Sequence, residues 1–366
     1  MITNKRILII SPEAWGIQFV SKHHYAQCLA AQGNTVYFLN PPSNTNQIQT
    51  LAPNLYLIDY KPLVRGLNRL PKFLNRWISQ RIINNIYANY IQTPLDIVWS
   101  FDPFRFQWLD AWQAKAKIYH PVDIHATDLE YEIAQSADFV LSVSDNILSK
   151  FVRLRLPHTY KITHGLAAHF LGDIPYDPII SFSYKKKIGY VGNLFMQAID
   201  REMLLTIIQS NPVVDFYFVG ACEAKDNNLS TTAANDFIET LRKCPNVILL
   251  GAKPSAQIPG IIKHFDMFLF CYKDNPPLVD NPHKILEYLS TGNVIVASPI
   301  SEYRDHSELL AMADKNSELP NLFKKVLDNI EDYNSEQARQ ARQTYAYANT
   351  YAKQLERIYH IIKGKL

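Results

Sequence analysis

Apolar residues along this chain fall in short runs, separated by stretches in which they recur every three or four positions. The runs are Ile7 to Ile10, Thr35 to Leu39, Ile97 to Ser100, Ile118 to His120 and Phe139 to Val143, then Ile188 to Val191, Phe216 to Val219, Val247 to Leu250, Phe268 to Cys271 and Val294 to Ala297. A brief run with little polar alternation suits a strand covered on both faces, and each gap leaves room for a helix. Strand alternating with helix predicts parallel sheets built from βαβ units, an α/β fold. Between the two sets lies Gly165 to Lys187, which holds Gly172, Pro175, Pro178 and the triplet Lys185, Lys186 and Lys187 and reads as a linker. Two open Rossmann-like domains facing a cleft follow from this, over 1–168 and 169–344, with ligands expected at the carboxyl ends of the strands. The segment from Ser335 to Leu366 has one long helical pattern, with Tyr345, Ala348, Tyr351, Leu355 and Ile358 on one side. Its last part, about 345–366, is expected to cross between the domains and join the first.

The stretch from Asn281 to Ser298 carries the most chemistry. Lys284 and Glu287 stand three apart and share a helix face, Ile285, Leu286 and Leu289 form the apolar side, and Gly292 suits the helix end before a buried strand, Val294 to Ala297. A helix N-terminus, an ammonium and a carboxylate on one short element match the needs of a nucleoside diphosphate, whose phosphates seek N–H groups and Lys and whose ribose diol seeks an acceptor. Glu287 is then either the ribose acceptor or a solvated helix carboxylate paired with Lys284. Lys284 is either the cation that neutralises the departing diphosphate or a surface lysine.

Composition adds three things. The chain has 366 residues, 47% of them hydrophobic and 19% charged, which is ordinary for a soluble protein with two cores. Residues 1–165 hold 16 Lys and Arg against 11 Asp and Glu, a balance of +5, while the total is +3, so the remainder is −2 and an anionic partner would favour the first half. Four scattered cysteines without CxxC spacing argue against zinc and against a disulfide framework, and suit a reducing cytosol. No apolar run is long enough to span a bilayer. From Tyr60 to Leu95 there is no acid, while Lys61, Arg65, Arg69, Lys72, Arg76 and Arg81 interleave with Leu67, Leu70, Phe73, Leu74, Trp77 and Ile78. That pattern over residues 61–81 describes either a surface that lies on an anionic membrane or a core-packing helix with a solvated basic face, broken by Pro71. The near-neutral overall charge speaks against nucleic acid.

In order and spacing these pieces resemble GT-B-fold glycosyltransferases of the group 1 kind, particularly bacterial members that build surface polysaccharides. The most specific element is Pro282-x-Lys284-x-x-Glu287-Tyr288-Leu289-x-x-Gly292, similar to that family's nucleotide-site helix. Gly189-Tyr190-Val191-Gly192-Asn193 resembles the glycine turn after the first donor-domain strand, and Phe218-Val219-Gly220 and Asn246-Val247-x-x-x-Gly251 resemble the next strand ends. In the first half, Trp99 to Pro103, Tyr119 to Asp123 and His164-Gly165 resemble family landmarks. The resemblance implies an enzyme, either free in the cytoplasm or peripheral on the inner face of the plasma membrane, that moves a sugar from a UDP- or GDP-sugar to a hydroxyl of a glycan or lipid-linked acceptor. Two departures stand out: the position eight before Glu287, often a glutamate in retaining members, is Val279 with Asp280 beside it, and the first loop, Ser11 to Gly16, keeps one glycine.

The candidate sites follow. Gly192 and Asn193 sit between a strand and a helix opening near Asp200, where backbone N–H groups can meet phosphate or simply close a turn. Lys253 and Tyr272, each after a donor-domain strand, would flank the base, and Asp280, in the loop before the key helix, would touch the sugar. Asp123 follows a strand directly, beside His120 and His125; it is either the general base of an inverting transfer or a helix cap, and His120, His125 and His164 either position sugar or phosphate or are packed in place. Glu13, Trp15, His23 and His24 are acceptor-side candidates, with capping and core packing as their alternatives. No Asp-x-Asp triplet occurs, so metal-independent transfer without a cofactor is expected. Two other readings stay open: a nucleotide-sugar epimerase on the same fold, and a non-catalytic relative that binds a glycan or nucleotide.

Overall fold

The computed structural model describes all residues except 17–18, 65, 124, 126, 157, 181–183, 224–230 and 275–280. It divides into two compact units: unit 1 is Met1–Gly165 with Tyr351–Leu366, and unit 2 is Leu166–Thr350.

Unit 1 is built on β1 (Arg6–Ile10), β2 (Thr35–Leu39), β3 (Gln47–Ala52), β4 (Leu55–Asp59), β5 (Ile97–Ser100), β6 (Ala116–Tyr119), β7 (Phe139–Ser142) and β8 (Thr159–Lys161). They form one sheet in the order β3-β4-β2-β1-β5-β6-β7-β8, parallel throughout except for the β3–β4 hairpin. The central strands are buried along nearly their whole length, as their uninterrupted apolar runs require. One face is covered by the helices Lys72–Ile86, Leu129–Ser136 and Asp145–Arg153, whose Ile78, Ile82, Ile133, Ile147 and Phe151 share a core with Leu8, Leu39 and Val98. The helix Tyr351–Ile362 contributes Tyr351, which packs on Tyr25 with ring centroids 4.9 Å apart, and Gln354, which donates to the His164 carbonyl.

Unit 2 holds β9 (Lys187–Val191), β10 (Asp215–Val219), β11 (Val247–Gly251), β12 (Met267–Phe270), β13 (Val294–Ala297) and β14 (Ala311–Met312), all parallel, in the order β11-β10-β9-β12-β13-β14. All ten strand runs read from the sequence are present; the hairpin β3–β4 and the short edges β8 and β14 are additional.

The single C-terminal helix expected from the pattern is two, Glu336–Ala348 and Tyr351–Ile362. Asn349 leaves the helical region (φ −120°, ψ 45°), its carbonyl accepts the Leu166 N–H at 2.7 Å, and Leu166 bridges to Thr350. The break therefore falls where the chain passes from unit 2 back to unit 1, and only the part from Tyr351 belongs to unit 1. Among the described residues no helix is long and apolar enough to cross a membrane.

Candidate functional site

Each sheet has a point where chain order reverses, and in such sheets ligands bind outside the carboxyl ends at that point. In unit 2 it lies between β9 and β12, since the chain proceeds from β9 to β10 and β11 on one side and from β12 to β13 and β14 on the other. β10 follows β9 as far as Val191, but β12 pairs with it only at Ile188 and Gly189. The two strands part towards their carboxyl ends, and the hydroxyl of Tyr288 fills the split: it accepts the Val191 N–H at 2.7 Å and donates to the Val191 carbonyl at 3.1 Å. Its ring stacks on Phe268 with centroids 4.2 Å apart. The helix Lys284–Leu289 is thereby fixed against the end of β9, one residue before the Gly192 turn.

That bracing sets the position of Lys284 and Glu287. The ammonium lies 3.2 and 3.3 Å from the two carboxylate oxygens, and the side chains are only 27% and 15% exposed, so this is not a solvated helix pair. Burial raises the Glu287 carboxyl above its usual range, opposed by Lys284. His283 Nε2 stands 3.9 Å from the same carboxylate. His169 is a neighbour that sequence reasoning missed: burial, then the charge of Lys284, lowers its pKa.

The glycine turn meets this group from the other side of the split. Gly192 donates its own N–H to the Val219 carbonyl at 2.8 Å, so that N–H does not face a ligand. A Cβ on Gly220 would stand 1.8 Å from the Gly192 carbonyl oxygen, which means two backbones touch here and explains the glycine at the end of β10. Asn193 folds its side chain onto the turn, accepting the Phe195 N–H at 2.9 Å. Asp200, whose oxygen accepts from Met203, caps the helix Arg201–Ser210.

Two donor-side candidates sit differently from expectation. Tyr272 is buried: its ring packs on Phe270 at 4.0 Å, its hydroxyl points to Met196 Sδ, and its N–H donates to Ser298, so it is a wall beneath the site rather than an open platform for a base. Lys253 follows β11, the edge strand two places from the β9–β12 split, and the strand order does not bring it to Lys284 and Glu287. Asp280 and Val279 lie outside the described residues.

In unit 1 the order reverses between β1 and β5. Arg105 ties the loops at that edge together, donating to the Ser11 and Asn40 carbonyls, the Tyr60 hydroxyl and the Asp102 carboxylate. Asp102 in turn accepts the Phe104 and Arg105 N–H groups at 2.7 and 3.1 Å. Neither residue was singled out from the sequence, although Asp102 lies in a quoted landmark.

Beside this knot, Lys22 is 2% exposed and pairs with Glu13, whose side chain is half in solvent. The charge of Lys22 reaches three other candidates, depressing His23 and His120 and opposing the rise of Asp123. His23 spends both ring nitrogens on backbone, 3.1 Å from the Val20 N–H and 3.3 Å from the Ala14 carbonyl. Burial and then Lys22 lower it to about 4, so it is a neutral helix cap rather than an acceptor contact. Trp15 packs edge-on against Phe38 at 4.9 Å and donates its N–H to Asn40, holding the first loop down. His24 stacks on Tyr351 at 5.0 Å.

His120 is buried against Phe101 and Trp99, its ring stacked at 4.9 and 5.8 Å, and neither ring nitrogen has a hydrogen-bond partner among the described residues. Burial, then His164 and Lys22, drops it to about 3, which excludes proton donation near neutral pH. Asp123 is exposed, yet its carboxyl sits above the usual range because the protein around it displaces bulk water, opposed by Lys22 and His125. It does not cap the helix that follows among the described residues: Leu129–Ser136 begins later, after Asp128. His125 adjoins a buried pair that holds this loop, with Glu130 accepting from Lys150 and, at 2.7 Å, from the Tyr119 hydroxyl. Burial pushes the Glu130 carboxyl up, but the nearby His125 and the bonds from Lys150 and Tyr119 outweigh it and hold it low.

No protein-family profile matches this sequence, and no curated protein does. Solved structures match along its whole length. Sucrose-phosphate synthase from Thermosynechococcus elongatus is 13% identical, with a TM-score of 0.74 over 99% of this chain and 100% of that one. Anabaena HepE, solved with UDP and glucose, is 14% identical with a TM-score of 0.69 over 98% and 99%. A glycosyltransferase from Rickettsia africae is 14% identical with a TM-score of 0.68 over 100% and 99%. The chain has the GT-B fold of these enzymes.

Proposed function

We propose that this chain is a glycosyltransferase that moves a sugar from a nucleoside-diphosphate sugar, UDP- or GDP-linked, to a hydroxyl of a glycan or lipid-linked acceptor in surface-polysaccharide synthesis. One observation carries the reading: Lys284 and Glu287, half-buried and paired, are pinned by Tyr288 at the split between β9 and β12. UDP and glucose bound to HepE, and UDP-glucose in a further complex of that protein, support a nucleotide-sugar donor for the fold.

In this reading unit 2 takes the donor. Glu287, the acceptor for the ribose diol, gains a partner for a charge that burial now disfavours. Lys284 balances the diphosphate as its charge grows, without a metal ion. Unit 1 takes the acceptor, with Glu13 and Asp123 at its carboxyl edge. The acceptor oxygen bonds to the anomeric carbon, the bond from that carbon to the diphosphate oxygen breaks, and its electron pair leaves with the diphosphate. The hydroxyl proton passes to the Asp123 carboxylate if transfer inverts the centre, and a raised pKa makes Asp123 a stronger base. A lipid-linked acceptor would place the protein on the inner face of an anionic membrane, against the basic stretch 61–81.

Calorimetric titration with UDP-glucose and a GDP-sugar tests the donor site. Glu287→Ala is expected to weaken the preferred donor at least about tenfold, roughly 1.4 kcal/mol; unchanged affinity would remove the assignment.

A further inference from the structure

The acidless stretch of unit 1 builds a surface that the sugar chemistry does not use. Its helix Lys72–Ile86 begins directly after Pro71 and buries Ile78, Ile82, Ile83 and Ile86. The opposite side presents Phe73 at 72% exposure and Trp77 at 53%, one turn apart, with Leu63 and Val64 from the preceding segment at 54% and 40%. Large apolar side chains this open and this close together are uncommon on a surface that meets only water. Arg81 lies over Trp77, its guanidinium carbon 4.1 Å from the ring centroid. Lys61, Arg69 and Arg81 have no acidic partner among the described residues, whereas Lys72 pairs with Glu132 and Arg76 with Asp110, exposed pairs of the weak kind. A groove of about 780 Å³ opens beside them, lined by Phe73 and Trp108 and by the Lys72–Glu132 and Arg76–Asp110 pairs.

The place of this surface in the fold is informative. The chain leaves the carboxyl end of β4 at Asp59 and runs through 60–71 before the helix turns back towards the start of β5, so Phe73 and Trp77 stand near the carboxyl edge of the sheet. Side chains bind the segment to that edge: Asn68 donates to the Phe104 carbonyl at 2.8 Å and accepts from Gln107 at 2.9 Å. Phe104, itself 44% exposed, meets His125 edge to face at 5.6 Å, two residues from Asp123. The aromatic surface and the Asp123 loop are therefore neighbours.

We propose that Phe73 and Trp77 are the interfacial anchors of a docking surface for an anionic lipid bilayer, oriented so that the carboxyl edge of unit 1, with Phe104 and the Asp123 loop, lies beside the lipid headgroups. Charge complementarity selects the lipid: the aromatic and leucine side chains enter the headgroup layer while Lys61, Arg69 and Arg81 meet its negative charge. The proposal deepens the reading of a lipid-linked acceptor, whose reactive hydroxyl stays near the membrane plane, but the docking itself is measurable without any transfer assay.

Vesicles of phosphatidylcholine with and without phosphatidylglycerol provide the test. The full chain is expected to cosediment with the anionic vesicles, to release as salt rises, and to ignore phosphatidylcholine alone. Phe73→Ser with Trp77→Ser should weaken binding about tenfold or more; because both side chains are exposed, the unfolding midpoint should hold. Lys61→Gln with Arg69→Gln and Arg81→Gln, which leaves the aromatics, should abolish the preference for anionic lipid. Amide exchange on vesicles should slow over 61–81 and 102–106. Binding that survives both variants, protection instead around Val152 and Leu154 at the far end of the helix Asp145–Arg153, or retention of a nucleic acid without vesicle binding would each overturn the proposal. Vesicle binding without any UDP- or GDP-sugar affinity would defeat the transferase reading and leave the docking surface standing.

Discussion

Replacing Tyr288 with phenylalanine isolates one oxygen atom. The ring and its stack on Phe268 are kept, and the two hydrogen bonds to Val191 are lost. β12 has already left β9 at this height, so no strand can take the hydroxyl's place. An orphaned buried N–H costs about 1–3 kcal/mol, and a carbonyl with a spare lone pair costs less. The sum is about 1–4 kcal/mol, which for a unit of this size corresponds to a fall in Tm of about 2–16 °C. All five tryptophans precede residue 113 and report on unit 1, so tryptophan fluorescence will miss the change. Calorimetry, together with amide exchange of the peptide containing Lys187 to Gly192, will resolve it, and donor affinity should fall with it as the Lys284–Glu287 pair loosens. A loss below about 0.5 kcal/mol, within the range of an ordinary surface substitution, would refute the view that this hydroxyl closes the split.

Two further outcomes follow from buried charge. Because burial holds the Glu287 carboxyl above its usual value of 4.5, the folded chain binds that proton more tightly than the unfolded chain, and this group's contribution to stability falls as pH rises from about there through the raised pKa. Glu287→Gln should flatten that part of the curve; denaturant midpoints that stay parallel for both proteins across the acid range would contradict it. His120→Phe, which keeps the stack on Phe101 and Trp99 and removes two nitrogens that have no hydrogen-bond partner among the described residues, should leave unfolding stability unchanged or raise it by up to about 1–2 kcal/mol. Destabilisation beyond about 1 kcal/mol would show that the ring nitrogens are satisfied in solution.

What the sequence revealed of this molecule was its repeating grammar. Continuous apolar runs such as Val294 to Ala297 announce themselves because both faces are covered, whereas Gln47–Ala52 alternates poorly, lies at an exposed edge and owes its strand to the hairpin with β4. Lys284 and Glu287 were legible because three-residue spacing puts them on one helix face. Tyr288 was visible within the same motif, but its work depends on β12 diverging from β9, a three-dimensional fact with no local signal. Arg105 was hidden for a related reason: Asp102 three residues before it is an ordinary local pair, and the Ser11, Asn40 and Tyr60 oxygens that complete its burial come from elsewhere in the chain. His23 could be read either way from the sequence, as an acceptor contact or as a cap, and the structure shows both its nitrogens on backbone.

The split membership of unit 1 bears on how the chain is made. Unit 2 is one continuous stretch, so a ribosome can release all of it while unit 1 still lacks Tyr351 to Leu366. Until then Tyr25 and His24 have no Tyr351 to pack against, and Gly165, which sits so close to that tyrosine that a Cβ would stand 2.6 Å from its ring, faces an open seat. Tyr351–Leu366 thus seals a domain whose sheet emerged before any of unit 2, and a stop codon near 350 would leave the second unit whole and the first unfinished.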